Sequence, residues 1–141
     1  MEFDNYFKLE LDAKNVNEGF ARSAVAMFCT ELKPTIAEIN DIKTAVSEAV
    51  TNSIVHGYAG KGGKINIEVG LKNNIVDIIV SDNGIGIGDI DMALQPFFTT
   101  KQKEEHSGMG FTLMDTFMTS LEVKENKPSG LVVHMQKVIR G

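Results

Sequence analysis

Three polar side chains recur at steps of four residues in the sequence: Glu48, Asn52 and His56. Four residues of α-helix advance about 400°, so these side chains are predicted to form one stripe, each ~6 Å from the next. The Asn52 carbonyl is an oxygen ligand of the kind Mg²⁺ accepts, with phosphate oxygens and waters completing the shell. A carboxylate one turn away can hold a water or hydroxyl beside it. The alternative is a row of solvated polar side chains, which is common on helices.

Asp82 begins a second group, the Asp-Asn-Gly-Ile-Gly segment at 82–86. It follows the strand predicted at 75–80, which is almost wholly apolar and therefore typical of a central strand. A carboxylate at the end of such a strand is costly to desolvate unless a donor faces it, and the exocyclic amine of adenine is such a donor. Gly84 and Gly86 would allow close backbone approach. The alternative is a tight turn, which Asp-Asn-Gly also favours.

A third group is the run Ser-Gly-Met-Gly-Phe at 107–111, which opens a helical pattern. Free amides and the helix dipole make such an N-terminus a natural anion site, and a flexible hinge is the alternative. Thr99, Thr100 and Lys101 add hydroxyls and one cation, with a solvated loop as their alternative. The polar stretch 99–108 predicts a mobile loop.

The hydrophobic pattern predicts the elements that would position these groups. Strands are expected near 7–11, 65–71, 75–80, 121–125 and 131–138, and later helices near 90–94 and 109–120. Asn73-Asn74 predicts a hairpin turn, and the segment 126–130 joins the last two strands. The order β-α-α-β-β-(α)-α-β-β predicts an α/β (α+β) two-layer sandwich, a mixed, mostly antiparallel sheet with helices on one face. Residues 1–141 are expected to form a single domain.

Two longer helices are predicted before the second strand. Asn15 is expected to cap the first, which ends at or just before Pro34, and Thr35 and Glu38 form a capping box for the second, which runs to about Gly57. The residues expected on their buried faces are Val16, Phe20, Met27 and Phe28 on the first and Ile36, Ile39, Ile42, Val46 and Val50 on the second.

The composition narrows the class of protein. The formal charge is −5, with 14 basic and 19 acidic residues, and the lysines are scattered, which argues against direct nucleic-acid binding. Cys29 is the single cysteine, so it is expected to be a small buried residue, and cysteine-rich zinc sites are excluded. No apolar run approaches the ~20 residues of a membrane span, and no signal peptide opens the chain, so a cytoplasmic location is expected.

The order of the motifs is more specific than any one of them. Glu-x-x-x-Asn on a helix, Asp-x-Gly-x-Gly after a strand and Gly-x-Gly at a helix start together resemble the Bergerat-type (GHKL) ATPases, and the P-loop pattern is absent from the sequence. The strings SEAVTNSIVHGY at 47–58, QPFFTTK at 95–101 and SGMGF at 107–111 are similar to those of the anti-sigma factor serine kinases, and among these to the sporulation (sigma-F) type. The resemblance covers nearly the whole chain.

The resemblance implies roles for individual residues. Glu48 would orient or deprotonate the attacking hydroxyl, Asn52 would bind Mg²⁺, and Asp82 would accept a hydrogen bond from the adenine amine. The other nucleotide-binding residues it implies are Gly84, Gly86, Thr100, Ser107, Gly108, Met109 and Gly110. Arg22, in the Phe-Ala-Arg string at 20–22, would lie on the surface that meets the sigma factor and its antagonist.

The implied activity is that of an ATP- and Mg²⁺-dependent serine/threonine-protein kinase that is also an anti-sigma factor. Such a protein binds and inhibits a sporulation sigma factor and phosphorylates an anti-anti-sigma factor on a serine, and homodimerisation is implied by the family. His56 receives no catalytic role and is interpreted as a helix-end residue. One departure is His106 where the family usually has arginine, and neutral histidine would neutralise less phosphate charge, which bears on the transfer rate more than on the site.

Three other functions fit parts of the pattern. The ATP-binding half of a sensor histidine kinase normally follows a helical hairpin carrying the acceptor histidine, whereas this sequence begins at a predicted strand. A non-catalytic ATP-gated binding module needs further domains to transmit closure. A general-stress anti-sigma kinase with another sigma partner has the same residue pattern, and binding experiments would distinguish it.

Overall fold

The computed structural model describes residues 2–88, 90–94 and 110–141. One antiparallel sheet has the order β1-β2-β3-β5-β4, with strands β1 (Asn5–Asp12), β2 (Lys64–Lys72), β3 (Ile75–Asp82), β4 (Ser120–Glu125) and β5 (Leu131–Val138). The helices are α1 (Val16–Cys29), α2 (Ile36–Asn52), α3 (Ile90–Ala93) and α4 (Gly110–Phe117). A 3₁₀ turn (Thr30–Leu32) follows α1, and a π-helical turn (Ser53–Gly57) continues α2. The predicted order of elements is confirmed.

The strand pattern shows which face of the sheet carries the core. On β2, Ile65 and Ile67 are fully buried, while Asn66 between them is half-buried, because successive side chains point to opposite faces. The strand register continues this row across the sheet, through the buried Ile67, Val80 and Val133 to the partly buried Leu9 and Val123 on the outer strands. Helix α2 packs between α1 and α4 and contacts β3. The two-layer α/β class is therefore confirmed.

Helix α2 begins as the sequence predicts. Thr35 Oγ1 accepts a hydrogen bond from the Glu38 N–H at 3.1 Å, and Glu38 Oε1 accepts from the Thr35 N–H at 2.9 Å, so the capping box is complete. The buried positions Ile42, Val46 and Val50 are confirmed, and Ile39 packs against the core. The prediction for Ile36 is wrong: it is 81% exposed, because the first turn of the helix projects beyond the core.

Helix α1 differs from its prediction in two respects. Asn15 occupies the N-cap position but makes no side-chain cap hydrogen bond, because its own backbone is already helical. Val16, Phe20 and Met27 are exposed rather than buried. The buried face consists of smaller residues, namely Ala21, Val25, Ala26 and Cys29. The helix thus packs on α2 through small side chains and presents its larger apolar residues outward.

The last residues of α1 agree with the sequence analysis. Phe28 packs on Phe7, with ring centroids 4.6 Å apart. Cys29 is fully buried, and desolvation raises the pKa of its thiol to about 12, so the thiol is protonated at neutral pH. The expectation of a small buried residue at this position is confirmed.

The C-terminal part of the chain contains a shorter helix than predicted. Helix α4 ends at Phe117, because Ser120 already pairs with Gln136 as the first residue of β4. The predicted mobile loop at 99–108 lies outside the described residues. None of the helices in the described ranges has the length and apolar character needed to cross a membrane.

Candidate functional site

Asp82 is the last residue of β3 and is almost completely buried, with 2% of its surface exposed. Its Oδ2 accepts a hydrogen bond from Ser53 Oγ at 2.6 Å, and its Oδ1 accepts from the Gly84 N–H at 2.9 Å. A buried carboxylate is costly unless donors face it, and here each oxygen has one. Because a carboxylate offers about four lone-pair positions, Asp82 can accept a further donor from a ligand.

The glycine-rich loop after β3 lies directly on the end of the long α2 segment. The Ile85 N–H donates to the Gly57 carbonyl at 2.8 Å. A Cβ on Gly84 would lie 2.1 Å from that same carbonyl oxygen, and one on Gly57 would lie 3.0 Å from Asp82 Oδ2. No side chain fits at Gly84, which explains why glycine is needed there.

A second support for this loop is the β4–β5 turn, residues 126–130. Asn126 Nδ2 donates to the Asp82 carbonyl at 2.7 Å, and Asn83 and Ser129 exchange two side-chain-to-backbone hydrogen bonds at 3.2 and 3.3 Å. Gly130 packs so closely that a Cβ there would lie 2.0 Å from the Asp82 carbonyl oxygen. The backbone around the buried aspartate is therefore fixed from two sides.

Tyr58 connects the loop to β2. Its hydroxyl accepts a hydrogen bond from the Asn83 N–H at 2.8 Å and donates to the Lys64 carbonyl. Gly63 leaves room for the ring, since a Cβ there would lie 2.3 Å from a Tyr58 ring carbon. Three supporting residues, Ser53, Tyr58 and Asn126, received no role from the sequence. Ser53 and Tyr58 lie within the string at 47–58 and Asn126 within the turn at 126–130, but no local pattern indicates hydrogen-bond partners 29, 25 and 44 residues away.

Glu48 and Gly110 are brought together by the packing of α2 on α4. A Cβ built on Gly110 would lie 3.3 Å from Glu48 Oε2. The carboxylate therefore lies against the first residue of α4, at the helix end whose free N–H groups attract anions. Glu48 of the Glu-x-x-x-Asn motif and Gly110, the second glycine of the Gly-x-Gly motif, meet at this point.

The residues of the predicted stripe lie in two kinds of helical turn. Glu48 and Asn52 lie within the regular helix and are both half-buried. His56 lies in the π-helical turn, where hydrogen bonds run from i to i+5. The assignment of His56 to the helix end is confirmed, and the continuation of the stripe to His56 stays a prediction.

The remaining predicted residues fall in three groups. Gly86 lies in the loop after β3 with a positive φ of 75°, a conformation that favours glycine. Arg22 lies on α1, where Nη1 contacts Glu18 Oε2, which also accepts from Ser47 Oγ at 2.7 Å. The residues outside the described part of the chain are Thr99, Thr100, Lys101, His106, Ser107, Gly108 and Met109.

The donor set can be tested against a magnesium ion. The described residues contain no group of three or more His, Cys, Asp and Glu side chains that could hold a metal. Asn52 supplies one amide oxygen, and Mg²⁺ commonly keeps several waters and takes phosphate oxygens as further ligands. Within the described part of the chain, the oxygen ligand offered by Asn52 thus fits a magnesium ion delivered with a nucleotide.

The fold is a two-layer sandwich. Its candidate site combines a buried aspartate at a strand end, a glycine loop and the start of a facing helix, and this combination defines an ATP-binding domain of the histidine kinase type. A family model described as "Histidine kinase-like ATPase domain" matches residues 9–137.

Curated proteins named "Anti-sigma F factor" are similar over almost the whole chain. The one from Clostridium kluyveri is 54% identical over 136 residues, covering 96% of both chains. The one from Thermoanaerobacter sp. (strain X514) is 52% identical over 139 residues, covering 99% of this chain and 97% of the relative. The chain therefore belongs to the anti-sigma F factor family of histidine kinase-like ATPase domains.

Solved structures agree on the fold. The RsbU and RsbW domains of a Mycobacterium tuberculosis protein superpose with a TM-score of 0.67 at 18% identity, covering 96% of this chain and 32% of that longer chain. The catalytic domain of histidine kinase ThkA superposes with a TM-score of 0.57 at 21% identity, covering 99% of this chain and 97% of the other. At these identities the likeness establishes the shared fold.

Proposed function

We propose that this chain is an ATP-dependent protein serine kinase and anti-sigma factor, built as one Bergerat-type domain over residues 1–141. It would hold a sigma factor of the sigma-F type inactive and phosphorylate the cognate anti-anti-sigma factor on a serine. The observation that carries the proposal is Asp82, a carboxylate with 2% exposure whose oxygens each accept one protein hydrogen bond and retain a lone pair for a ligand donor. The relatives are named "Anti-sigma F factor", which supports the anti-sigma part of the proposal.

The nucleotide would be oriented by its base. Asp82 accepts from the exocyclic amine of adenine, and Gly84 and Gly86 form the floor of the pocket. Asn52 would bind Mg²⁺ through its amide oxygen, and the ion would neutralise phosphate charge. The adjacent N-terminus of α4, with Gly110 and the preceding residues 108 and 109, would contact the phosphates through backbone N–H groups.

Phosphoryl transfer then depends on positioning and charge neutralisation. The serine Oγ of the partner forms a bond to the γ-phosphorus as the bond to the β–γ bridging oxygen breaks, and ADP leaves. Glu48 orients the hydroxyl and accepts its proton. The contact between Glu48 and Gly110 supports this role, because the Glu48 carboxylate lies beside the first residue of α4, where the phosphates are proposed to bind. Thr100 and Ser107 would add nucleotide contacts from the segment before α4.

The partner surface is assigned to α1. Arg22 lies there, with its side chain 39% exposed beside Glu18. Val16, Phe20 and Met27 are 60–79% exposed on the same helix, and a row of exposed apolar side chains is typical of a protein interface. A second copy of the chain, the sigma factor and the anti-anti-sigma factor are the proposed partners, and the cytoplasm is the proposed location.

The proposal is tested by following label from γ-labelled ATP to a purified anti-anti-sigma factor. Label on serine is expected with the wild-type chain, and Glu48→Ala should abolish it while leaving ATP affinity, measured by calorimetry, within about threefold. Glu122→Ala, an exposed acid on β4, is the matched control and should behave as wild type. Tight ATP binding without any label would overturn the kinase assignment and point to an ATP-gated binding module. Capture of a general-stress sigma factor in place of sigma-F would reassign the partner.

A further inference from the structure

The contact between Ser53 and Asp82 has the features of a charge-assisted hydrogen bond. The two oxygens are 2.6 Å apart, and the residues are 3% and 2% exposed. Separations of 2.5–2.7 Å are typical of a hydroxyl that donates to a carboxylate, and these bonds are about twice as strong as neutral ones. We propose that Ser53 is a positioning residue that holds the Asp82 carboxylate in the orientation that reads the 6-amino group of adenine. This inference rests on the proposed nucleotide site.

Ser53 lies where α2 passes into the π-helical turn. The Ser53 carbonyl accepts from the Tyr58 N–H at 2.9 Å, an i-to-i+5 bond that widens the helix at this point. Serine hydroxyls within helices often donate to the carbonyl one turn earlier. Here the hydroxyl donates instead across the layers of the sandwich, to a side chain 29 residues away.

Two donors on different oxygens fix the plane of the Asp82 carboxylate. Ser53 holds Oδ2, and the Gly84 N–H holds Oδ1 at 2.9 Å. Gly57 closes one side, since a Cβ there would already lie 3.0 Å from Oδ2. If the Ser53 hydroxyl is removed, Oδ2 loses its donor and the carboxylate can rotate about its χ2 bond, which is intrinsically broad. The directional contact with the amine is then weakened, whereas contacts with the rest of the nucleotide remain.

The test compares ATP with purine riboside triphosphate, which lacks the 6-amino group, by calorimetry on the full chain. In Ser53→Ala we expect the preference for ATP to fall about tenfold, while the affinity for the analogue stays within about twofold. Ser53→Cys keeps the side-chain size with a weaker donor and should show an intermediate loss. The matched control is Ser47→Ala, which removes a hydroxyl from the same helix that donates to Glu18 and should leave the preference unchanged.

A structural role would give a different result. If Ser53 only stabilises the fold, both nucleotides weaken by the same factor in Ser53→Ala and Ser53→Cys, and the inference is overturned. Asp82→Ala, which removes the acceptor, separates this failure from failure of the nucleotide site. If Asp82→Ala removes the preference and the two Ser53 variants retain it, the Ser53 inference alone fails. If the preference survives in Asp82→Ala, the proposed adenine contact itself is wrong.

Discussion

Gly84 and Gly57 are in backbone contact: a Cβ added to Gly84 would lie 2.1 Å from the Gly57 carbonyl oxygen. That oxygen also accepts the Ile85 N–H at 2.8 Å, so the loop after β3 is joined to the end of the α2 segment. The consequence is that Ser53 on the helix side and Asp82 on the strand side are held at a fixed separation. Backbone contact, rather than side-chain packing, closes this part of the site.

Gly84→Ala should therefore disrupt the site. The added methyl must displace backbone, which we expect to lower the free energy of unfolding by roughly 1–3 kcal/mol and to weaken ATP binding at least tenfold. Urea unfolding and calorimetry measure the two effects. Gly88→Ala is the control, because a Cβ at Gly88 meets nothing within 4 Å. Equal behaviour of the two variants would contradict the close contact.

The elements of this fold follow from local signals in the sequence. The Thr35–Glu38 capping box, the turn at Asn73 and the apolar run before Asp82 each depend on residues a few positions apart, and each is confirmed. Local hydrogen bonding and the alternation of side chains along a strand determine these features, so the local sequence pattern is sufficient to predict them. The position of Asp82 at a strand end was predictable for the same reason.

The supporting contacts of the site could not be predicted in this way. Ser53, at the start of a π-helical turn, donates to Asp82 across 29 residues, and Asn126 donates to the Asp82 carbonyl across 44 residues. Helical periodicity assumes 3.6 residues per turn and gives no indication of where a turn widens. Helical periodicity also could not predict which face of α1 is buried, because Val16 and Phe20 fit an apolar face whether that face packs on the core or contacts another protein.

Glu38 links the start of α2 to the end of the chain and predicts a dependence of stability on pH. Its carboxylate accepts from the main-chain N–H groups of Arg140 at 2.7 Å, Thr35 at 2.9 Å and Gly141 at 3.2 Å. These bonds, that from Arg140 foremost, lower the pKa of Glu38 below its ordinary value of 4.5. The unfolded chain thus binds more protons between the two pKa values, so the stabilisation is present above 4.5 and is lost as pH falls through the folded value.

Glu38→Gln should remove this contribution. We expect the wild type to be more stable than the variant near neutral pH and the difference to shrink below about pH 4, as measured by urea unfolding at several pH values. Glu122→Gln, at an exposed position on β4, is the control. A difference between wild type and Glu38→Gln that stays constant down to acidic pH would show that the charge of Glu38 is not responsible.

The exposed row on α1 predicts that a substitution within it weakens association but leaves the stability of the folded monomer nearly unchanged. Val16, Phe20 and Met27 lie within about 40° of one another around the helix and point away from the buried face. Phe20→Ala should change the free energy of unfolding of the monomer by no more than about 0.5 kcal/mol, because the side chain is already 60% exposed. It should nevertheless weaken the proposed homodimer or the capture of the sigma factor, because large aromatic side chains contribute strongly to interfaces.

Sedimentation equilibrium measures the mass of the assembly, and pull-down with purified sigma factor measures how much of that partner the chain binds. The matched control is Ile36→Ala, which removes an apolar side chain that is 81% exposed at the start of α2, outside this row. Loss of association in Phe20→Ala but not in Ile36→Ala would place a partner on α1. If both variants associate as the wild type does, the α1 row is not an interface. A large loss of stability in Phe20→Ala would mean instead that this side chain is buried within the folded monomer.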